Sequence, residues 1–406
     1  MTVGRDADRA GGDARVAQVH RQARITLAMS VGFVIAAPIA AVVPHDTGPW
    51  LPLHLFVVGG LLGAISGATQ MLGVTWSASP APPAALASAQ RTVLGLGTVA
   101  IALGREADSR AVVEAGGALV LGALVLLAVA LIGIRAGAKV RRFRPALDAY
   151  LVAITLGLAG TTLGVLLAVG RAGDHPDRVL ATHASTNLLG LVGLVIAATV
   201  PWFAATQART KMSRRATERA VRVLTGVLAG ATVVTLAGFA LGIAGIAGAG
   251  LTIYALGVAA VYAFVPPLGR RQLEWAGPRL LQLLVGMAWW AACVGLLAAA
   301  AFRSEPMGLR AIEALVVGGY AQILAGSLAY LAPVLRGGGH LRLGQGFDLT
   351  RSWIGLAAGN VGAVAALAGA TEVLIGAILV WIADVAVRAV RLRVGGAPPS
   401  IEPTAS

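Results

Sequence analysis

The chain of 406 residues is 57 % hydrophobic and 12 % charged, with a formal net charge of +14 and a mean hydropathy of +0.80. A soluble domain carries roughly 25 % charged residues, so this composition excludes an ordinary water-soluble enzyme and implies a chain solvated by lipid. The single cysteine, Cys293, excludes an intramolecular disulfide and a multi-thiolate metal centre.

Residues 1–24 read as a polar, Arg-bearing tail that lacks the apolar core and small-residue cleavage site of a signal peptide. Over residues 25–387 twelve apolar segments follow, each close to the roughly 20 residues that cross a hydrocarbon core of about 30 Å as a helix. They run approximately over 25–44, 51–75, 88–104, 112–134, 147–169, 180–206, 223–242, 249–267, 279–302, 311–335, 352–369 and 371–387. The third is the shortest signal, because Arg91 sits near its start. The stretch 223–267 is too long for one crossing and is expected to break at the glycines of "GIAGIAGAG". The last two segments divide at "AGATE", and 388–406 form a C-terminal tail. The fold class expected is an all-α integral membrane protein, a twelve-helix bundle.

Lys and Arg favour cytoplasmic loops, so their placement tests this division. Alternate gaps, starting with the N-terminal tail, hold 26 of the 32 Lys and Arg, and the opposite gaps hold the other six: Arg105, Arg110, Arg171, Arg178, Arg303 and Arg310. The alternation never inverts. Both termini are therefore expected in the cytoplasm, with the lipid bilayer as partner and no nucleic acid needed to explain the basic charge.

Six histidines can be assigned a depth on this topology. His20 and His340 fall on the inner side, while His45 and His175 fall in the outer loops "PHDTGPW" and "GDHPDR". His54 and His183 each lie about one turn inside a segment that descends from the outer surface, the second and the sixth. Ionisable groups within a span are candidates for function, and neutral imidazole is a common metal ligand. The competing reading is a histidine one turn from a helix end that bonds interfacial water or a carbonyl. On the second segment, Gly60, Gly63 and Gly67 fall opposite His54 and should pack on a neighbouring helix. On the sixth, Asn187 shares the face of His183, where it would either orient a ligand or bond a neighbouring helix.

A short repeat aligns "HLFVVGGLLGAISG" from His54 with "EALVVGGYAQILAG" from Glu313, which opens the tenth segment. Segments two, six and ten then start on the outer side with His54, His183 and Glu313, as three four-helix arcs would require. Glu313 at a helix start also suits the positive end of the helix dipole. Asp384 lies one turn before Arg388 and should pair with it, and Asn360 and Gln322 should bond between helices.

The stretches "PLHLFVVGGLLGAISGATQMLGVTW", "THASTNLLGLVGLVIAATVPWF" with "ARTKM", and "AQILAGSLAYLAPVLRGGG" resemble the membrane domain of actinobacterial proteins related to NnrS. More distantly they resemble the twelve-helix catalytic subunit of haem–copper oxidases. In some actinobacterial relatives a similar region is fused to a multicopper, nitrite-reductase-like domain. The resemblance implies a bacterial plasma-membrane protein that binds haem and/or copper between helices near the outer side, with an external redox or copper protein as partner. It places cofactor ligands at His54 and His183, with Asn187 and Gln322 as further cofactor-binding candidates. His45, His175, Met307 and Glu313 are secondary metal candidates on the same side. The seventh and tenth segments contain no histidine, so the ligand set for oxygen reduction is incomplete. Electron transfer, metal handling or protection against nitrosative stress are the implied tasks. The alternatives are a secondary transporter without metal, or a membrane anchor for an external copper enzyme.

Overall fold

The computed structural model describes residues 3–337 and 339–394, with side chains described from residue 13 onward except at 339, 340 and 394. The His340 side chain and residues 395–406 of the expected C-terminal tail lie outside the described residues. Every regular element among the described residues is helical.

In chain order these are α1 (Val3–Val42), α2 (Trp50–Ser77), α3 (Ala84–Glu106), α4 (Arg110–Ala136), α5 (Arg141–Ala168), α6 (Pro176–Gln207) and α7 (Glu218–Leu241). They continue with α8 (Ala244–Phe264), α9 (Arg270–Ala276), α10 (Pro278–Phe302), α11 (Leu309–Arg336), α12 (Gly339–Leu349), α13 (Ile354–Ala368) and α14 (Thr371–Val394). Eleven of them are long and apolar enough to cross a membrane, all except α9, α12 and α13. The chain is thus a multi-pass, all-α membrane protein. The twelfth expected crossing falls on α13, which is apolar but has only 15 residues, a rise of about 22 Å.

Two expectations change in detail. The polar N-terminal tail is helical and continuous with α1, and it is held by Arg15 Nη1 donating to Ala78 O and Gln18 Nε2 donating to Pro82 O, both at 3.0 Å. The break in 223–267 comes at Gly242, in the left-handed region at φ +72°, and the remaining glycines of the run lie inside α8. Their role is contact rather than turning. A Cβ at Gly238 would stand 2.2 Å from the Ala247 backbone nitrogen, so α7 and α8 touch backbone to backbone. Gly238→Ala should therefore prise this hairpin apart and cost about 1–3 kcal/mol, read as earlier thermal unfolding in micelles.

Burial separates an inner layer from an outer one. In the most apolar stretch of α6, α11 and α2, 94 %, 78 % and 56 % of residues are buried, against 17–44 % in the other eight spans. The remaining helices follow one another around these three, each touching the next, in the order α1, α3, α4, α5, α7, α8, α10, α13, α14 and back to α1. Glycine sets the closest approach of the layers. Cβ positions at Gly59, Gly60, Gly63 and Gly67 of α2 fall 2.3–3.3 Å from Phe33, Val34, Ser30 and Thr26 of α1, so the glycine face of α2 packs as its sequence suggests.

The three inner helices share a second feature. Each contains a π-helical turn: Leu55–Leu61 in α2, Thr186–Gly193 in α6 and Leu315–Ala321 in α11. The turns in α2 and α11 cover the two Val-Val-Gly-Gly copies of the repeat. A π turn disturbs the i→i−4 ladder and leaves carbonyls in need of donors, which water cannot supply in lipid. Here side chains supply them. Ser30 Oγ donates to Gly60 O at 2.6 Å, Tyr320 and Tyr254 hydroxyls donate to Leu188 O and Leu189 O at 2.7 and 2.8 Å, and Gln322 Nε2 donates to Gly318 O at 2.9 Å. Tyr320→Phe should leave Leu188 O short of a donor and cost about 1–3 kcal/mol, measurable by thermal unfolding in micelles.

Candidate functional site

His54 is the last residue of α2 before its π turn, and its Nδ1 lies 2.8 Å from Trp50 O one turn back. A carbonyl only accepts, so Nδ1 carries the hydrogen and Nε2 keeps its lone pair. His183 stands just before the π turn of α6, and its Nδ1 lies 2.8 Å from Gly160 O on α5. The same reasoning leaves its Nε2 unprotonated. Asn187 Nδ2 sits 3.3 Å from His183 Nδ1 and 3.0 Å from His183 O. Because Nδ1 already donates to Gly160, the amide of Asn187 donates to the carbonyl and braces the turn that carries the ring.

The two imidazoles face each other. Their ring centres are 6.4 Å apart and their planes differ by 8°. Among the described residues neither Nε2 has a hydrogen-bond partner. With ring centres 6.4 Å apart, the two imidazoles are near enough for both to line one binding site.

Glycines of α5 provide the room. A Cβ at Gly164 would stand 2.5 Å from His183 Cε1, and one at Gly160 would stand 2.5 Å from Asn187 Nδ2. Above the pair, Trp50 stacks on His54 with ring centres 4.0 Å apart, and the Arg105 guanidinium lies 6.0 Å from the Trp50 ring. Sequence reading missed Trp50, Gly160 and Gly164. The spacing Gly157, Gly160, Gly164 along one face of the fifth segment was the available signal, since it marks a close helix contact.

The other candidates are dispersed. His45 Nδ1 bonds Thr47 Oγ1 at 3.1 Å and lies 3.7 Å from Glu106, to which Thr47 also donates. His175 is exposed at the start of α6, and Met307 is half-buried in the loop before α11. Glu313 faces the same cleft as His45. Gln322 is fully buried with Asn360 Nδ2 3.5 Å from its Oε1, and Trp289 Nε1 donates to Asn360 Oδ1 at 2.7 Å. This is the interhelical bonding expected of both amides. No group of three or more His, Cys, Asp or Glu converges among the described residues. A closed tetrahedral site is therefore not built from those side chains, and the donor set is two imidazole nitrogens.

Gly164→Ala should displace the His183 ring and break its bond to Gly160. Any metal affinity carried by the pair should then fall by about 10–100-fold, as for loss of a ligand-orienting contact, in a competition titration against a chelator. Compared with known proteins, the chain matches no family model and no curated sequence.

Proposed function

We propose that this protein holds copper or haem iron between His54 and His183, near the end of the bundle opposite its N-terminus. The observation that carries the reading is the paired Nδ1–carbonyl bonds, which aim the chemistry of both rings through unprotonated Nε2 atoms. Two such donors satisfy the groups the resemblance implies. Copper or haem iron would be held by His54 and His183, since neutral imidazole suits both metals. When bound, either group would supply one-electron chemistry, and this chain would bind it, fix the two rings and exclude lipid from their Nε2 atoms.

The task is then electron transfer, metal handling or protection against nitrosative stress in a bacterial plasma membrane. A resemblance to NnrS and to the oxidase subunit supports it, as do the three π-bulged inner helices inside a ring of nine. Twelve crossings with both termini cytoplasmic complete the reading. Protease or reporter tags at each terminus should report the cytoplasm, and a thiol label at Asp174→Cys should react from outside. Metal analysis and an absorbance spectrum of protein expressed with haem and copper both supplied test the cofactor. About one ion or one haem per chain is the expected result. A cofactor-free protein would favour the transporter or anchor readings instead.

A further inference from the structure

A cleft of about 670 Å³ opens between α1, α2, α11, α13 and α14. Its volume falls within the range of ligand sites, which are largely apolar with a few placed polar groups. Val34, Phe56, Val317, Ile375 and Ile378 are among its walls. Along α14 the lining runs from Thr371 to Ile382, and along α11 from Leu309 to Ala321. At 1.5 Å per residue this is about 17 Å, close to half of a roughly 30 Å hydrocarbon core. The cleft is thus as deep as one leaflet.

Its ionisable groups sit at one end. Glu313 is the one carboxylate among the lining residues, and His45 is already engaged with Thr47 and Glu106. Arg310 lies one turn before Glu313, and its guanidinium carbon is 2.7 Å from where a Cβ of Gly369 would stand. That folds the cation over the end of α13, two residues before Thr371 at the mouth. The Glu313 carboxylate thus stands near the mouth of an apolar shaft, with the exposed Arg310 just outside the lining, one turn before it on the same helix.

We propose that the cleft binds one acyl chain of a zwitterionic aminophospholipid from the leaflet at the His54 end, with its ammonium at Glu313 and its phosphate at Arg310. Charge selects among the occupants that a membrane offers. An anionic lipid satisfies Arg310 but brings no cation to Glu313, and an isoprenoid quinone satisfies neither charge. The assignment needs no cofactor at His54 and His183, so it stands or falls separately from the proposed function.

Native mass spectrometry of the detergent-purified protein tests it, with phosphatidylethanolamine, phosphatidylglycerol and an isoprenoid quinone added in turn. Phosphatidylethanolamine should be retained at one per chain with about tenfold preference over the other two, a difference of about 1.4 kcal/mol. Glu313→Gln should remove that preference. Ala377→Trp, which places a large ring in the shaft, should abolish retention of all three. Equal retention of phosphatidylglycerol or quinone by the native chain overturns the proposal, as does unchanged preference in Glu313→Gln. Should Ala377→Trp fail to fold, the Glu313→Gln comparison decides alone.

Discussion

Replacing His54 with alanine is expected to remove the bound cofactor, seen as loss of the Soret band or of protein-bound copper, while the protein stays inserted and monodisperse. The geometry explains both halves of this result. Among the described residues the one hydrogen bond of the His54 ring runs to Trp50 in its own helix, so its loss breaks no interhelical hydrogen bond. In the proposed site His54 is one of two imidazole ligands with ring centres 6.4 Å apart, so on that reading the single imidazole left in His54→Ala binds too weakly to retain the cofactor. His183→Ala should lose the cofactor too, with some cost in stability, because its bond to Gly160 ties α6 to α5. Asn187→Ala should weaken binding by about 10–100-fold rather than abolish it, since it braces the ring without donating to the ion. Alanine at His20 or His340 should change neither spectrum nor metal content. If His54→Ala keeps its full complement of metal or haem, the assignment of the site is wrong.

Asp384→Ala is expected to cost about 3–5 kcal/mol of stability, the largest effect outside the candidate site, because it strands a buried guanidinium. Arg388 Nη2 lies 2.8 Å from Asp384 Oδ2, with the two side chains 9 % and 7 % exposed. Ser352 Oγ donates to Asp384 Oδ1 at 2.6 Å and Arg388 Nη1 donates to Thr350 O at 3.2 Å. One ion pair thus fastens α14 to the connection that leads into α13. Gly355 makes the space, since a Cβ there would stand 3.0 Å from both Asp384 Oδ2 and Gln282 Nε2. The double variant Asp384→Leu with Arg388→Met should recover most of the loss, because removing both charges removes the desolvation cost along with the attraction. Thermal unfolding of the three proteins in one detergent separates these cases. An unchanged midpoint for Asp384→Ala would show that the pair contributes nothing to the inner end of the bundle.

Hydropathy alone located the eleven helices long and apolar enough to cross a membrane, because a helix in lipid must satisfy its backbone within itself and its length is set by the membrane. The glycine face of α2 and the Asp384–Arg388 pair were legible for a related reason: helical spacing alone puts those residues on one face. Equal depth for His54 and His183 also followed from sequence. Tertiary structure decided what depth cannot: that the two rings face each other, that a carbonyl of a third helix, Gly160, fixes one of them, and that Gly164 leaves the ring its space. It likewise decided that α2, α6 and α11 stand inside the ring and that Tyr254 and Tyr320 reach across to the carbonyls of the α6 π turn. Which helices become neighbours depends on packing between residues as far apart as Leu188 and Tyr320. Apolar periodicity marks a buried face but does not name the face that covers it.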